Sequence, residues 1–81
     1  MRIQTTRRFD ESYQNAPFEI RQAFDRLSRF LLEDIRYPSL RAKKYDEVRN
    51  IWQARITRDW RLYFRIEGST YILLDLIHHP K

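Results

Sequence analysis

The sequence predicts an α+β fold of order β-α-α-β-β-β-β, an antiparallel sheet with two N-terminal helices packed on one face. Two observations carry this. Apolar residues at Ile20, Ala23, Phe24, Leu27, Phe30, Leu31 and Ile35 form a stripe with the 3.6-residue period of an amphipathic helix. Beyond Pro38 the pattern changes to β-branched and aromatic runs at 51–57, 60–67 and 70–77. Arg58-Asp59 and Glu67-Gly68-Ser69 are the turn signals between those runs. Helices first and strands afterwards is the α+β arrangement.

Each element has its own signal. Residues 3–6 are short and β-prone and read as a first strand. Residues 7–15 carry Phe9 and Tyr13 at helical spacing, with Ala16 just beyond, and read as a first helix. Pro17 ends it and opens the second, because its fixed φ suits a first helical turn. Arg21, Asp25, Arg26, Ser28 and Arg29 fill the outer face of that second helix. Glu33 and Asp34 sit at its negative dipole end, and Tyr37-Pro38-Ser39 closes the helical half. Residues 41–45 read as a strand and 46–50 as a turn. One domain over 1–81 is expected, with no repeat, low-complexity tract or linker.

Strand alternation sorts side chains onto two faces. Trp52, Ala54 and Ile56, then Leu62, Phe64 and Ile66, are expected to face the helices. In the last strand Ile72, Leu74 and Leu76 are expected beside them. That leaves Arg55, Arg61, Tyr63, Arg65, Asp75 and His79 on the opposite, open face. Asp75 is placed to neutralise Arg61 or Arg55.

Composition removes several classes. The chain has 81 residues, 42% hydrophobic and 15% aromatic, with a formal charge of +5. Twelve aromatics argue against disorder. There is no cysteine for a disulfide or thiolate site, and the adjacent His78 and His79 are poorly spaced for zinc. No metal or cofactor is expected. The apolar runs fall short of a membrane span and no signal peptide is visible, so a cytoplasmic location is expected. The sole glycine rules out a Gly-rich phosphate loop. Thirteen of the sixteen cations are arginine, whose planar fork matches phosphate and stacks on bases. With a pI near 10.0, this bias points to a polyanionic partner, set against the alternative of a solvated basic surface.

The run Ile51-Trp52-Gln53-Ala54-Arg55-Ile56-Thr57-Arg58-Asp59-Trp60-Arg61-Leu62-Tyr63-Phe64-Arg65-Ile66 resembles the central signature of the RelE/ParE toxin superfamily. That signature is an aromatic and a basic strand, a short turn, then aromatic or His-Arg-Leu/Val-x-Tyr/Phe. Pro38-Ser39-Leu40-Arg41-Ala42-Lys43-Lys44 is similar to the approach to the sheet, and the helical half and length also fit. Within the superfamily the sequence looks most like the RelE and YoeB branch. The resemblance implies a RelE/ParE-like fold and the toxin of a toxin–antitoxin pair. It implies a ribosome-dependent mRNA endoribonuclease with a cognate antitoxin as partner, free as a monomer or held in a hetero-oligomer. The ParE-like alternative is a gyrase inhibitor that cuts nothing, and a further alternative is a member that only binds its antitoxin.

The resemblance also implies roles. Arg61 falls on the signature arginine that contacts the scissile phosphate, with Arg55 at the basic position of the preceding strand. His79 falls near a C-terminal histidine of the YoeB type, and Lys43 and Lys44 near the basic pair before the sheet. Two departures weaken the acid–base part: Ala42 stands where the YoeB type has a Glu, and His79-Pro80-Lys81 replaces the His-Tyr ending. RNA brings its own 2′-OH nucleophile, so cleavage needs in-line alignment, charge stabilisation and two proton transfers, but no metal. Arg61 and Arg55 suit the charge and His79 the proton transfer. Lys43 or Lys44 stands in for the missing carboxylate. Arg65 joins the substrate-binding surface, and Tyr63, Tyr45 or Trp60 would stack a base, with Trp60 and Trp52 expected first as core.

Overall fold

The computed structural model describes residues 1–79; Pro80 and Lys81 lie outside the described residues. The elements run β1 (Arg2–Thr5), α1 (Arg7–Asn15), α2 (Phe18–Glu33), a one-turn 3₁₀ helix (Pro38–Leu40), then β2 (Lys43–Asp46), β3 (Ile51–Thr57), β4 (Trp60–Glu67) and β5 (Thr70–His78). The five strands form one sheet in the order β1-β5-β4-β3-β2. β2 to β5 are an antiparallel meander. β1 departs from the expected all-antiparallel sheet: it pairs parallel with β5, making the sheet mixed. Parallel neighbours need a long crossover, and here α1, α2 and the meander lie between the pair.

The helices begin and end for local reasons. Thr6 caps α1, its hydroxyl oxygen accepting from the Phe9 N–H at 3.2 Å while its hydroxyl donates to the Leu73 carbonyl at 2.9 Å. Pro17 opens α2, as the sequence suggests. At the other end Asp34 is the cap, and its carboxylate turns away from the helix to Arg36, accepting from that residue's N–H at 2.9 Å and from its guanidinium at 3.2 Å. Those bonds hold the Asp34 carboxyl below its ordinary pKa.

α1 packs on β5, and α2 on β3 and the 3₁₀ turn. The core joins Phe9, Ile20, Phe24, Leu27, Leu31 and Leu40 to Ala54, Leu62, Phe64, Tyr71, Leu73 and Leu76. Trp52, Ile56, Trp60 and Ile66 close its margins, so both tryptophans serve the core side. The parity of β5 corrects the simple alternation. Tyr63 pairs with Asp75 but Phe64 pairs with Leu73, so Leu74 is an extra, bulged residue. Upstream of it Tyr71 and Leu73 face the helices in place of Ile72 and Leu74; downstream Leu76 does, as expected. Two other bulges fall at Tyr45 in β2 and Ile56 in β3. Gly68 turns β4 into β5 at φ +59°, a conformation that favours glycine.

Candidate functional site on the open sheet face

Register assembles the open face in rows. Arg55 lies opposite Arg61, which lies opposite Ile77. The next row is Lys43, Gln53, Tyr63 and Asp75. Arg65 lies opposite Ile72 in the row beyond. The arginines of β3 and β4 therefore adjoin, as the sequence reading expects.

Arg61 is held more firmly than a surface strand arginine. Its Nη1 donates to the carbonyls of Thr57 at 2.8 Å, Arg58 at 3.0 Å and Trp60 at 3.1 Å, closing the β3–β4 turn. A guanidinium carries five N–H donors, and the bonds to these carbonyls use only those on Nη1. Arg55 is less committed to the open face. It also lines a shallow cavity of about 230 Å³ with α2 residues Ala23, Arg26, Leu27 and Phe30, where the Ile56 bulge turns this end of β3. Arg65 is tied to Glu67 at 3.0 Å, with its Nε buried and unpartnered.

The lysine pair divides. Lys43 lies opposite Gln53 on the open face, whereas Lys44 lies opposite Trp52. The Lys44 ammonium sits over the Trp52 ring at 5.0 Å and 3.8 Å from Glu47. The histidines divide too. His78 lies opposite Trp60, with ring centroids 5.3 Å apart. His79 is exposed, its N–H donates to the Asp59 carbonyl, and alternation puts it on the side of Ile77 and Arg61.

Asp75 does not neutralise Arg61 or Arg55. Its Oδ1 accepts from the Ser12 hydroxyl at 2.6 Å and from the Leu76 N–H at 2.8 Å, and its Oδ2 lies 3.7 Å from Arg8 Nε. α1 thus supplies the partners that sequence reasoning left out. Arg8 lines both large surface cavities. The larger, about 840 Å³, runs between α1 and the β4–β5 ends and includes Glu11, Trp60 and His78. The other, about 620 Å³, opens on the sheet face between Tyr45, Arg49, Ile51, Tyr63, Leu74 and Ile77. Tyr45 and Tyr63 meet edge-to-face at 5.0 Å. Burial, and next the phenol of Tyr45, push the Tyr63 hydroxyl up from its ordinary pKa against the opposing pull of Arg61. No signal in the sequence linked residue 8 to residue 75. The Tyr45–Tyr63 contact depends on a bulge that alternation does not foresee.

The comparisons bear on this arrangement. The family described as the ParE-like toxin domain matches residues 20–81. No curated protein sequence matches the chain. Among solved structures, the fold is similar to a YoeB/ParE toxin from Agrobacterium tumefaciens, at 17% identity and TM-score 0.82, over 99% of this chain and 100% of that one. It is similar to a RelB–RelE antitoxin–toxin complex from Methanococcus jannaschii, at 17% identity and TM-score 0.77, over 91% and 87%. It is also similar to a heterotetrameric YoeB–YefM toxin–antitoxin complex from Staphylococcus aureus, at 13% identity and TM-score 0.78, over 99% and 98%. At these identities the likeness is one of fold. No helix among the described residues is long and apolar enough to cross a membrane.

Proposed function

The chain belongs to the ParE-like toxin family, and from that premise we propose that it is the toxin of a toxin–antitoxin pair, cutting mRNA on translating ribosomes in the cytoplasm. The observation that carries the reading is Arg61, a permanently charged fork immobilised by three backbone carbonyls beside Arg55 on an uncovered face. A transition state that gains negative charge is stabilised most by donors that need no reorganisation. Arg61 would hold the phosphate oxygens with its remaining donors. Arg55, opposite it, would add charge. His79, one alternation beyond Ile77, would carry a proton to or from the reacting oxygens. Lys43, on the same face, would bind the RNA backbone, with Tyr63 and Arg65 on the substrate-binding surface. Lys44 contributes through Trp52.

The partner would be an antitoxin protein, in keeping with the antitoxin complexes formed by toxins of similar fold. It would meet a surface of charge +5, so affinity should fall with ionic strength.

Expression without the partner should arrest bacterial growth and leave new 5′ ends in a translated reporter, mapped by primer extension. Arg61→Ala should lower cleavage by roughly 10²- to 10³-fold, the usual cost of losing one oxyanion donor. It should also lower the melting temperature, because the Thr57, Arg58 and Trp60 carbonyls lose their donor. Arg61→Lys separates the two effects: a single ammonium keeps charge near the turn but not the fork. Recovered stability without recovered cleavage is expected. No new ends, together with inhibited gyrase supercoiling, would replace RNA by gyrase as the target.

A further inference from the structure

We propose that the cavity on the open sheet face is a nucleobase subsite, in which Tyr45 and Tyr63 take an unstacked base of single-stranded RNA and Arg8 and Arg49 take the flanking phosphates. The proposal rests on the RNA-cutting reading of Arg61 and adds to it where the neighbouring nucleotide lies.

The lining of the cavity supports it. The cavity has an apolar floor and a charged rim: Ile51, Leu74 and Ile77 lie with the two tyrosines, while Arg8 and Arg49 stand at the edge. The side chains of Arg8 and Arg49 are 81% and 77% exposed. Their carboxylate partners are loose, with Asp75 at 3.7 Å and Asp46 at 3.8 Å, so phosphate oxygens can replace or join them. Tyr45 is 61% exposed, so its ring is open to a ligand. Its ring crosses that of Tyr63 at 70° with centroids 5.0 Å apart, an arrangement to which a base can add by stacking.

Two of the residues that build the cavity, Tyr45 and Leu74, are bulged out of their ladders. Bulges re-aim side chains beside functional sites, and here two of them on different strands converge on one cavity. Spacing then links the cavity to the reaction. Tyr63 and Arg61 share a face of β4 two residues apart, about 7 Å of strand rise. A phosphate on Arg61 would therefore place an adjacent base over Tyr63. Charge favours RNA over an acidic peptide as occupant. The two cations are arginines, which pair bidentately with phosphate, and two tyrosine rings line the same cavity. Asp75 is the one acidic group lining the cavity, and Ser12 and Arg8 already engage it.

Tyr45→Ala, Tyr45→Phe and Arg49→Ala are to be compared with the parent chain in two assays. One is affinity for a short 2′-O-methyl oligoribonucleotide, which binds without being cut. The other is cleavage of a translated reporter mRNA, mapped by primer extension. Tyr45→Ala should weaken oligonucleotide binding by roughly 5- to 150-fold, the range for one lost stacking platform, and should change which base flanks the cuts. Tyr45→Phe should restore both, since the ring and not the hydroxyl stacks. Arg49→Ala should weaken binding and flatten its salt dependence. Melting curves should match the parent, because Tyr45 and Arg49 pack little. If Tyr45→Ala binds and cuts like the parent, the subsite is wrong while the nuclease reading stands. If the parent cuts no RNA yet binds the oligonucleotide through Tyr45, the nuclease reading fails and the subsite stands. If Tyr45→Ala instead loses affinity for an acidic peptide alone, the cavity serves a protein and the proposal is overturned.

Discussion

The two faces of the sheet use the same strands for opposite ends. On the helix side Ala54, Leu62, Phe64, Leu73 and Leu76 are closed off by α1 and α2, and no polar or charged residue is buried among the described residues. On the open side Arg61, Tyr63 and Asp75 stand half-exposed, and Arg55 reaches round to α2. Neighbours along one strand thus answer to different physics: Leu62 and Phe64 to transfer from water and packing, Arg61 and Tyr63 to charge and stacking. Such a division lets the open face change without unfolding the domain. Its exceptions are the residues that belong to both faces, and these make the best tests.

The largest expected effect comes from the helix side. Phe64 is fully buried, stacked at 6.4 Å on Trp52 and meeting Tyr71 edge-on at 5.8 Å. Phe64→Ala should cost about 3–5 kcal/mol through lost transfer energy and a cavity. Small domains have only about 5–15 kcal/mol in total, so urea titration should show a large drop in midpoint. A midpoint close to the parent's would mean that this face is not a packed core. Tyr63→Leu, one residue away on the open side, should move the midpoint far less.

A smaller effect tests the link between the faces. The Thr6 hydroxyl caps α1 and also binds the Leu73 and Leu74 carbonyls at the β5 bulge, at 2.9 Å and 3.3 Å. Thr6→Ala should cost about 0.5–2 kcal/mol, as loss of an N-cap does. It should also loosen Arg8, two residues into α1, and so weaken binding of a short oligoribonucleotide. Thr6→Ser retains the hydroxyl and should restore both. A stability loss with unchanged RNA affinity would show that α1 does not position the open face.

What the sequence made legible follows the same division. Apolar periodicity located the second helix and the last three strands, because burial imposes a period and the period is written in the residues; the one-turn 3₁₀ helix at Pro38–Leu40 reads as loop. The Phe24-Leu27-Leu31 stripe and the Leu62-Phe64-Ile66 alternation both lie where that logic puts them. It failed at Leu74, because a bulge adds one residue without altering composition, and all apolar candidates in 71–77 look alike. Lys43 and Lys44 are neighbours in sequence and lie on opposite faces because both belong to β2. Periodicity also left out Arg8, since an arginine among thirteen has no local mark that its partner is Asp75, 67 residues on. Arg61 was placed on the correct face, but its bonds to the turn carbonyls come from a rotamer, and sequence patterns carry no rotamers.

The smallest expected effect reads both faces in one titration. Burial raises the phenol of Tyr71 on the helix side, aided by the charge of Asp34, and burial raises that of Tyr63 on the open side. A phenol whose folded pKa lies above its unfolded value of about 10 binds its proton more tightly in the native state. Its contribution to stability is complete below pH ~10, where both states are protonated. Above that the unfolded chain ionises first, so the native state loses stability as pH rises towards the folded pKa. The urea midpoint should therefore fall on going from neutral pH to above pH ~10. Tyr71→Phe and Tyr63→Phe should each remove part of that slope, Phe having no proton to lose. Tyr71 is only 2% exposed, so its variant probes the helix side, while the Tyr63 variant probes the open face with its ring intact. If covering the open face with single-stranded RNA steepens the slope in the parent but not in Tyr63→Phe, the ligand buries Tyr63. An unchanged slope in the parent would place the bound strand elsewhere on the sheet.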